Sequence, residues 1–279
     1  MVSVWVLCVA AVLGLLAGVL IGSIGVGGII LVPCLIELPI AHTDDQRVAT
    51  AVASCMFSYI FVGVAGGCAY ARKHSVSWVS AAWLVVGAVP GGVAGAVTVG
   101  YLTAVWVKVV LYSLVIVSAV YNMYQTIKQY RKNTDEEAEP VSSVVGGGVA
   151  GCVARVGIGA VVGLGSALTG TSGPVILLPI LLSLHWPTLD ALGSAQVVQL
   201  PIALAAVAGF LAAGGNHSID WGLGGCLAVG LVPGALAGAA VAHALPVDKL
   251  RLAVASVLII ASVILLGKLV YAHIVDVNI

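Results

Sequence analysis

The sequence predicts an all-α, polytopic membrane protein made of two homologous halves arranged as an inverted repeat. Three observations predict it: scarcity of charge, apolar blocks of bilayer length, and a duplicated set of Gly/Pro motifs. Of 279 residues, 61% are hydrophobic and 8% are charged. A soluble domain carries about 25% charged residues, so this chain cannot cover a water-facing surface of its size. Residues 48–70 hold no charge at all, and a run of about 20 such residues matches the thickness of a bilayer core. The 35 glycines suit helices that approach closely in lipid. Lys+Arg and Asp+Glu balance at 11 each, which gives no footprint for nucleic acid. The six cysteines lie in apolar stretches without a C-x-x-C pair, so they read as small packing residues. The apolar N-terminus lacks a basic leader and its segment recurs later, so it is expected to be mature structure.

The repeat is visible as aligned motifs. Gly27-Gly28-Ile29-Ile30-Leu31-Val32-Pro33 aligns with Gly173-Pro174-Val175-Ile176-Leu177-Leu178-Pro179. His74-Ser75-Val76-Ser77-Trp78 aligns with His217-Ser218-Ile219-Asp220-Trp221. Gly87, Pro90, Gly91 and Gly95 match Gly230, Pro233, Gly234 and Gly238, and Lys108 matches Arg251. The offset is constant within each block and shifts once, by three residues. The chain therefore divides into a first repeat half (1–127), a charged cytoplasmic linker (128–143) and a second half (144–279). The linker sets Lys128, Arg131 and Lys132 ahead of Asp135, Glu136, Glu137 and Glu139.

Residues 4–40 are apolar apart from a Gly/Ser interruption at 22–28 and Glu37. As one helix they would run about 55 Å at 1.5 Å per residue, too long to cross a core of about 30 Å once. They must fold back as a span of about 18 residues and a half-depth helix of about 13. Blocks at 48–70, 78–99 and 104–124 complete the first half. The second half repeats the scheme at 144–168, 173–184, 192–213, 221–242 and 250–271. Five segments per half give the halves opposite orientations. Arg72, Lys73, the 128–132 cluster, Lys249 and Arg251 then share one side, with Asp44 and Asp45 and the 214–220 loop on the other, a positive-inside pattern.

Half-helix N-termini that meet near the midplane favour an anion through unpaired N–H groups and positive dipole ends. The first break offers Ser23, Gly25, Gly27 and Gly28. The second offers Thr169, Gly170, Thr171, Ser172 and Gly173, with Ser172 placed as an N-cap and Pro174 early in the helix. These glycines also suit plain helix packing. Arg155, set opposite Val9, is a cation at bilayer depth, and either faces an anion, snorkels to an interface or pairs with a carboxylate such as Glu37. Thr50, Gln196 and Gln199 are candidate pocket-lining groups or interhelical glue, as is Ser54; Asn122 is equally open. His74 and His217, beside Trp78 and Trp221, read as interfacial anchors. No Ser/His/Asp set or metal-ligand cluster is evident, so neither an enzyme nor a metal or other cofactor is expected.

The doubled motif, residues 22–28 with Val32-Pro33 and residues 170–174 with Leu178-Pro179, followed by Gly87-x-x-Pro90-Gly91 and Gly230-x-x-Pro233-Gly234, resembles the TauE/SafE family of sulfite exporters. Thr171, Ser172 and Pro174 stand where a plain glycine run would be expected. The resemblance implies a multi-pass transporter of the cell (inner or plasma) membrane whose partners are the bilayer, a small anion such as sulfite or an organosulfonate, and a second copy in a homodimer. Alternating-access export driven by membrane potential is the expected mechanism. A proton-coupled importer of sulfonate or thiosulfate using Glu37, and an anion channel, are the alternatives.

Overall fold

A computed structural model describes residues 4–38, 40, 43–113, 116–117, 120, 149–184, 186–213, 219–244, 256, 260, 263 and 267. Among them the architecture is all-helical: α1 (Val4–Ile24), α2 (Gly27–Ile36), α3 (Asp44–Arg72), α4 (Trp78–Val99), α5 (Ala104–Ser113), α6 (Val149–Thr169), α7 (Gly173–Ser183), α8 (Thr188–Ala213) and α9 (Trp221–Ala244). Six of these, α1, α3, α4, α6, α8 and α9, are long and apolar enough to cross a membrane. The chain is a multi-pass membrane protein. The linker, Asn122, His217, Lys249, Arg251 and most of the expected 250–271 segment lie outside the described residues.

The expected fold-back is present. α1 has 21 residues and α2 has 10, so α2 is about 15 Å long, half a bilayer core. The interruption is shorter than the 22–28 stretch suggested, because Gly22, Gly27 and Gly28 are all helical and only Gly25 and Val26 separate the helices. Gly25 has φ +75°, a left-handed conformation that costs a residue with a Cβ about 1–2 kcal/mol. Three residues, Gly170, Thr171 and Ser172, separate α6 from α7, and Gly170 has φ +68°. The second break is thus one residue longer.

The glycines set how the spans pack. A side chain at Gly14, Gly18 or Gly22 of α1 would meet the carbonyls of Leu227, Leu231 or Ala235 on α9. Gly230, Gly234 and Gly238 of α9 stand in the same way against Ala11, Leu15 and Val19. The α4/α6 pair repeats this, with Gly87, Gly91 and Gly95 against Val156, Ala160 and Leu164, and Gly159 and Gly163 against Leu84 and Ala88. Each pair is backbone-to-backbone, the close approach that small residues allow in lipid.

These contacts also fix direction. α1 and α9 run parallel, as do α4 and α6, since residue numbers rise together along each seam. α3 runs with α9, Ser54 reaching Asp220 and Ser58 reaching Gly224. α4 runs with α8, Ser77 meeting Ser194 while Gly92 meets Ile202 and Ala205. α3 and α8 oppose one another, with Gly63 on Leu200 and Gly67 on Val197. The core fills the space between these spans, with Tyr59, Tyr70, Phe210, Leu84 and Leu177 among its largest fully buried side chains.

Candidate functional site

The two breaks meet inside the bundle. The Ser172 amide nitrogen lies 2.5 Å, and its Oγ 2.9 Å, from the point where a Gly28 side chain would begin. Gly25 lies against the Pro174 ring, and the Ser172 hydroxyl donates a long bond to the Gly25 carbonyl, 3.4 Å. Two helix starts, one per half, thereby share one small volume. Of the residues expected at the site, Gly25, Gly28 and Ser172 meet here. Gly27 packs instead on Ala17 and Ile21 of α1, Ser23 on Gly238, Gly170 on Val52 and Val32, and Gly173 on Ile202 and Gln199. Thr169 and Thr171 lie within the second break. Each of these expected residues is buried.

Local hydrogen bonds decide which side chains have donors to offer. The Ser23 hydroxyl donates to Val19 O, 2.6 Å, and Thr169 donates to Gly165 O, 2.7 Å, each one turn back. Thr171 Oγ1 lies 2.9 Å from Thr169 Oγ1, so with the Thr169 proton engaged on Gly165, Thr171 is the donor between them. Ser172 has the extended backbone of an N-cap but makes no side-chain cap bond to its own helix. Gln196 donates to Ile21 O at 2.6 Å, and Tyr70 donates to Gly22 O at 2.7 Å. Both brace carbonyls in the last turn of α1, where Ile21 O also accepts from the Gly25 N–H at 3.0 Å.

Several buried polar groups near the junction remain without a hydrogen-bond partner among the described residues. They are Ser166 Oγ, Gln196 Oε1 and both ends of the Gln199 amide, while Tyr59 Oη has only the weakly accepting Cys55 thiol beside it. Gln199 lies beside the start of α7, its Cα 3.6 Å from where a Gly173 side chain would begin. Tyr59 Oη lies 3.0 Å from the corresponding point at Gly28. Sequence reasoning missed Tyr59; its one signal was a phenol inside a charge-free block. Thr50 is buried on α3.

The charged candidates lie elsewhere. Arg155 is in the second turn of the described part of α6, fourteen residues before Thr169, about 21 Å along the helix from the break. It is level with the second turn of α4, whose Leu84 and Gly87 face Gly159 and Val156. Glu37 caps the far end of α2 and is exposed, about 15 Å from the break. Every buried polar side chain among the described residues is neutral. The junction is therefore a set of amide and hydroxyl dipoles with no fixed charge, suited to a small anion held by N–H and O–H donors.

No curated protein and no solved structure is matched by this chain. The family model described as "Sulfite exporter TauE/SafE" matches residues 10–265, which takes in both breaks and every described helix except the first six residues of α1. By that match, the chain belongs to the TauE/SafE sulfite exporter family.

Proposed function

We propose that this multi-pass protein of a sulfur-anion transporter family exports sulfite or a related organosulfonate by alternating access, with the anion bound where the two breaks meet. The observation that carries this reading is the contact of Gly28 with Ser172, which brings one half-helix start from each half to a single buried point. Equivalent helices point in opposite directions, α1 against α6, α3 against α8 and α4 against α9, which supports an inverted repeat. Rocking one half against the other around a fixed site is the motion such repeats allow.

Membrane potential supplies the driving force. Expelling one negative charge from an inside-negative cell gains about 2.3 kcal/mol per 100 mV, so a uniporter suffices. The neutral junction also lets the empty site return without an unpaired buried charge. Glu37, exposed at the far end of α2, offers the proton-coupled alternative little support. In proteoliposomes, sulfite efflux should saturate with concentration and accelerate when a potassium gradient makes the interior negative. Flux that ignores potential but follows a pH gradient would favour proton coupling, and flux linear in sulfite would favour a channel.

A further inference from the structure

We propose that Tyr59 and Gln199, one from each half, bind the carried anion directly, and that the Gln199 amide favours an anion bearing its own hydrogen-bond donor. This rests on the export reading and names residues and ligand chemistry within it. Tyr59 is 1% exposed, and the polar atom beside its hydroxyl is the Cys55 sulfur, a weak partner. The hydroxyl lies next to Gly28, against which the Ser172 amide also packs. Gln199 is 1% exposed, and neither its nitrogen nor its oxygen is bonded. In a protein surrounded by lipid, such groups have no bulk water to turn to, and leaving them unsatisfied is costly. Two unsatisfied amide atoms and a phenol held only by a thiol, beside two helix starts, fit a place that a polar ligand fills.

The residue types define that ligand. A phenol O–H and an amide N–H both donate to an anionic oxygen. The amide oxygen does the opposite: it repels an oxyanion unless the ligand turns a hydrogen towards it. Whichever way the amide is flipped, it presents one donor group and one acceptor. A small anion with both an anionic oxygen and an O–H or N–H satisfies all three atoms; a bare oxyanion leaves the carbonyl unpaired. The repeat does not supply this pair twice. In the alignment that places Thr50 opposite Gln196, Ala205 stands opposite Tyr59 and Ala53 opposite Gln199. The donors are thus unsymmetrical in a site whose backbone is nearly symmetrical, which orients an unsymmetrical anion.

The test compares three singly charged sulfonates on the purified full-length protein in nanodiscs, by binding and by competition with sulfite flux in proteoliposomes. They are 2-hydroxyethanesulfonate, ethanesulfonate and, as a control for length, propane-1-sulfonate. One added neutral hydrogen bond is worth about a three- to tenfold gain in affinity, so the hydroxylated anion should bind about three- to tenfold more tightly than either other. Gln199→Met should bring that ratio close to one. Tyr59→Phe should weaken all three anions about ten- to a hundredfold, as expected for a bond to a charged oxygen, and leave the ratio intact. Equal affinities in the unaltered protein overturn the donor preference, and this needs no variant to fold. A ratio retained in a folded Gln199→Met overturns the role of Gln199, and unchanged binding in Tyr59→Phe overturns that of Tyr59. Absence of binding and flux for sulfite and all three sulfonates would instead overturn the export reading itself.

Discussion

At Gly25 and Gly170 the backbone takes positive φ values of 75° and 68°, and these two residues turn each broken span into a fold-back. A Cβ at Gly25 would press on the Pro174 ring, and one at Gly170 on Val52. Conformation and crowding therefore act together. Gly25→Ala and Gly170→Ala are each expected to cost at least about 1–2 kcal/mol from the left-handed backbone alone, seen as a lower melting temperature of the purified protein. An unchanged melting temperature for both would mean that the breaks relax freely. Gly27 and Gly28, though in the same motif, are helical and matter for close approach, so the motif as read from sequence mixes two kinds of glycine. The hydroxyls had a similar ambiguity. Sequence places Ser23 and Thr169 at the breaks but cannot reveal that their protons return to the carbonyl four residues back. Nor can it show that Tyr59, more than thirty residues from Gly25 along the chain, faces the same point.

Among the elements, those with a length constraint were legible. Residues 4–40, apolar but for the 22–28 interruption and Glu37, must fold back in a core about 30 Å thick, and α1 and α2 do so. Helix partners were less legible, because a glycine every fourth residue marks a seam without naming the opposite side. The α4/α6 seam gives a direct test. Gly159 abuts the Leu84 carbonyl, whereas a side chain on Gly157, two residues earlier on α6, would meet nothing. Gly157→Ala should leave stability unchanged or raise it by up to about 1 kcal/mol, through helix propensity. Gly159→Ala should lower it by about 1–3 kcal/mol, because the two backbones must part. Thermal unfolding in one detergent compares them; equal effects would overturn a tight α4/α6 seam. Across the other interface, the repeat-related Ser77 and Asp220 each donate their backbone N–H to a serine of the opposite half, Ser194 at 3.1 Å and Ser54 at 3.2 Å. Polar contacts thus tie the halves together near both faces.

For the whole molecule, the helix directions define two faces. One holds Arg72 and Lys73 at the end of α3 together with the start of α8, where Gly193 packs on the Ser75 carbonyl. The other holds the start of α3, where Asp45 accepts from the Ala104 amide at 2.7 Å and so joins α3 to α5. Arg47 and Lys108 also lie on this second face, but both are paired with Asp44, at 3.6 and 3.9 Å. By the positive-inside rule, Arg72 and Lys73 lead us to propose that the first face is the cytoplasmic one. The decisive residues are Thr43 and Pro187, both exposed, which immediately precede the equivalent helices α3 and α8. If the halves are inverted, these two positions lie on opposite sides of the membrane. With the six native cysteines replaced, Pro187→Cys and Lys73→Cys should react with an impermeant thiol reagent only when it reaches the cytoplasmic side. Thr43→Cys and Tyr101→Cys should react only from outside. Labelling of Thr43→Cys and Pro187→Cys from the same side would give the halves a common orientation. The half-helix starts would then enter from one face, leaving no pseudo-symmetric site about which the two halves could rock.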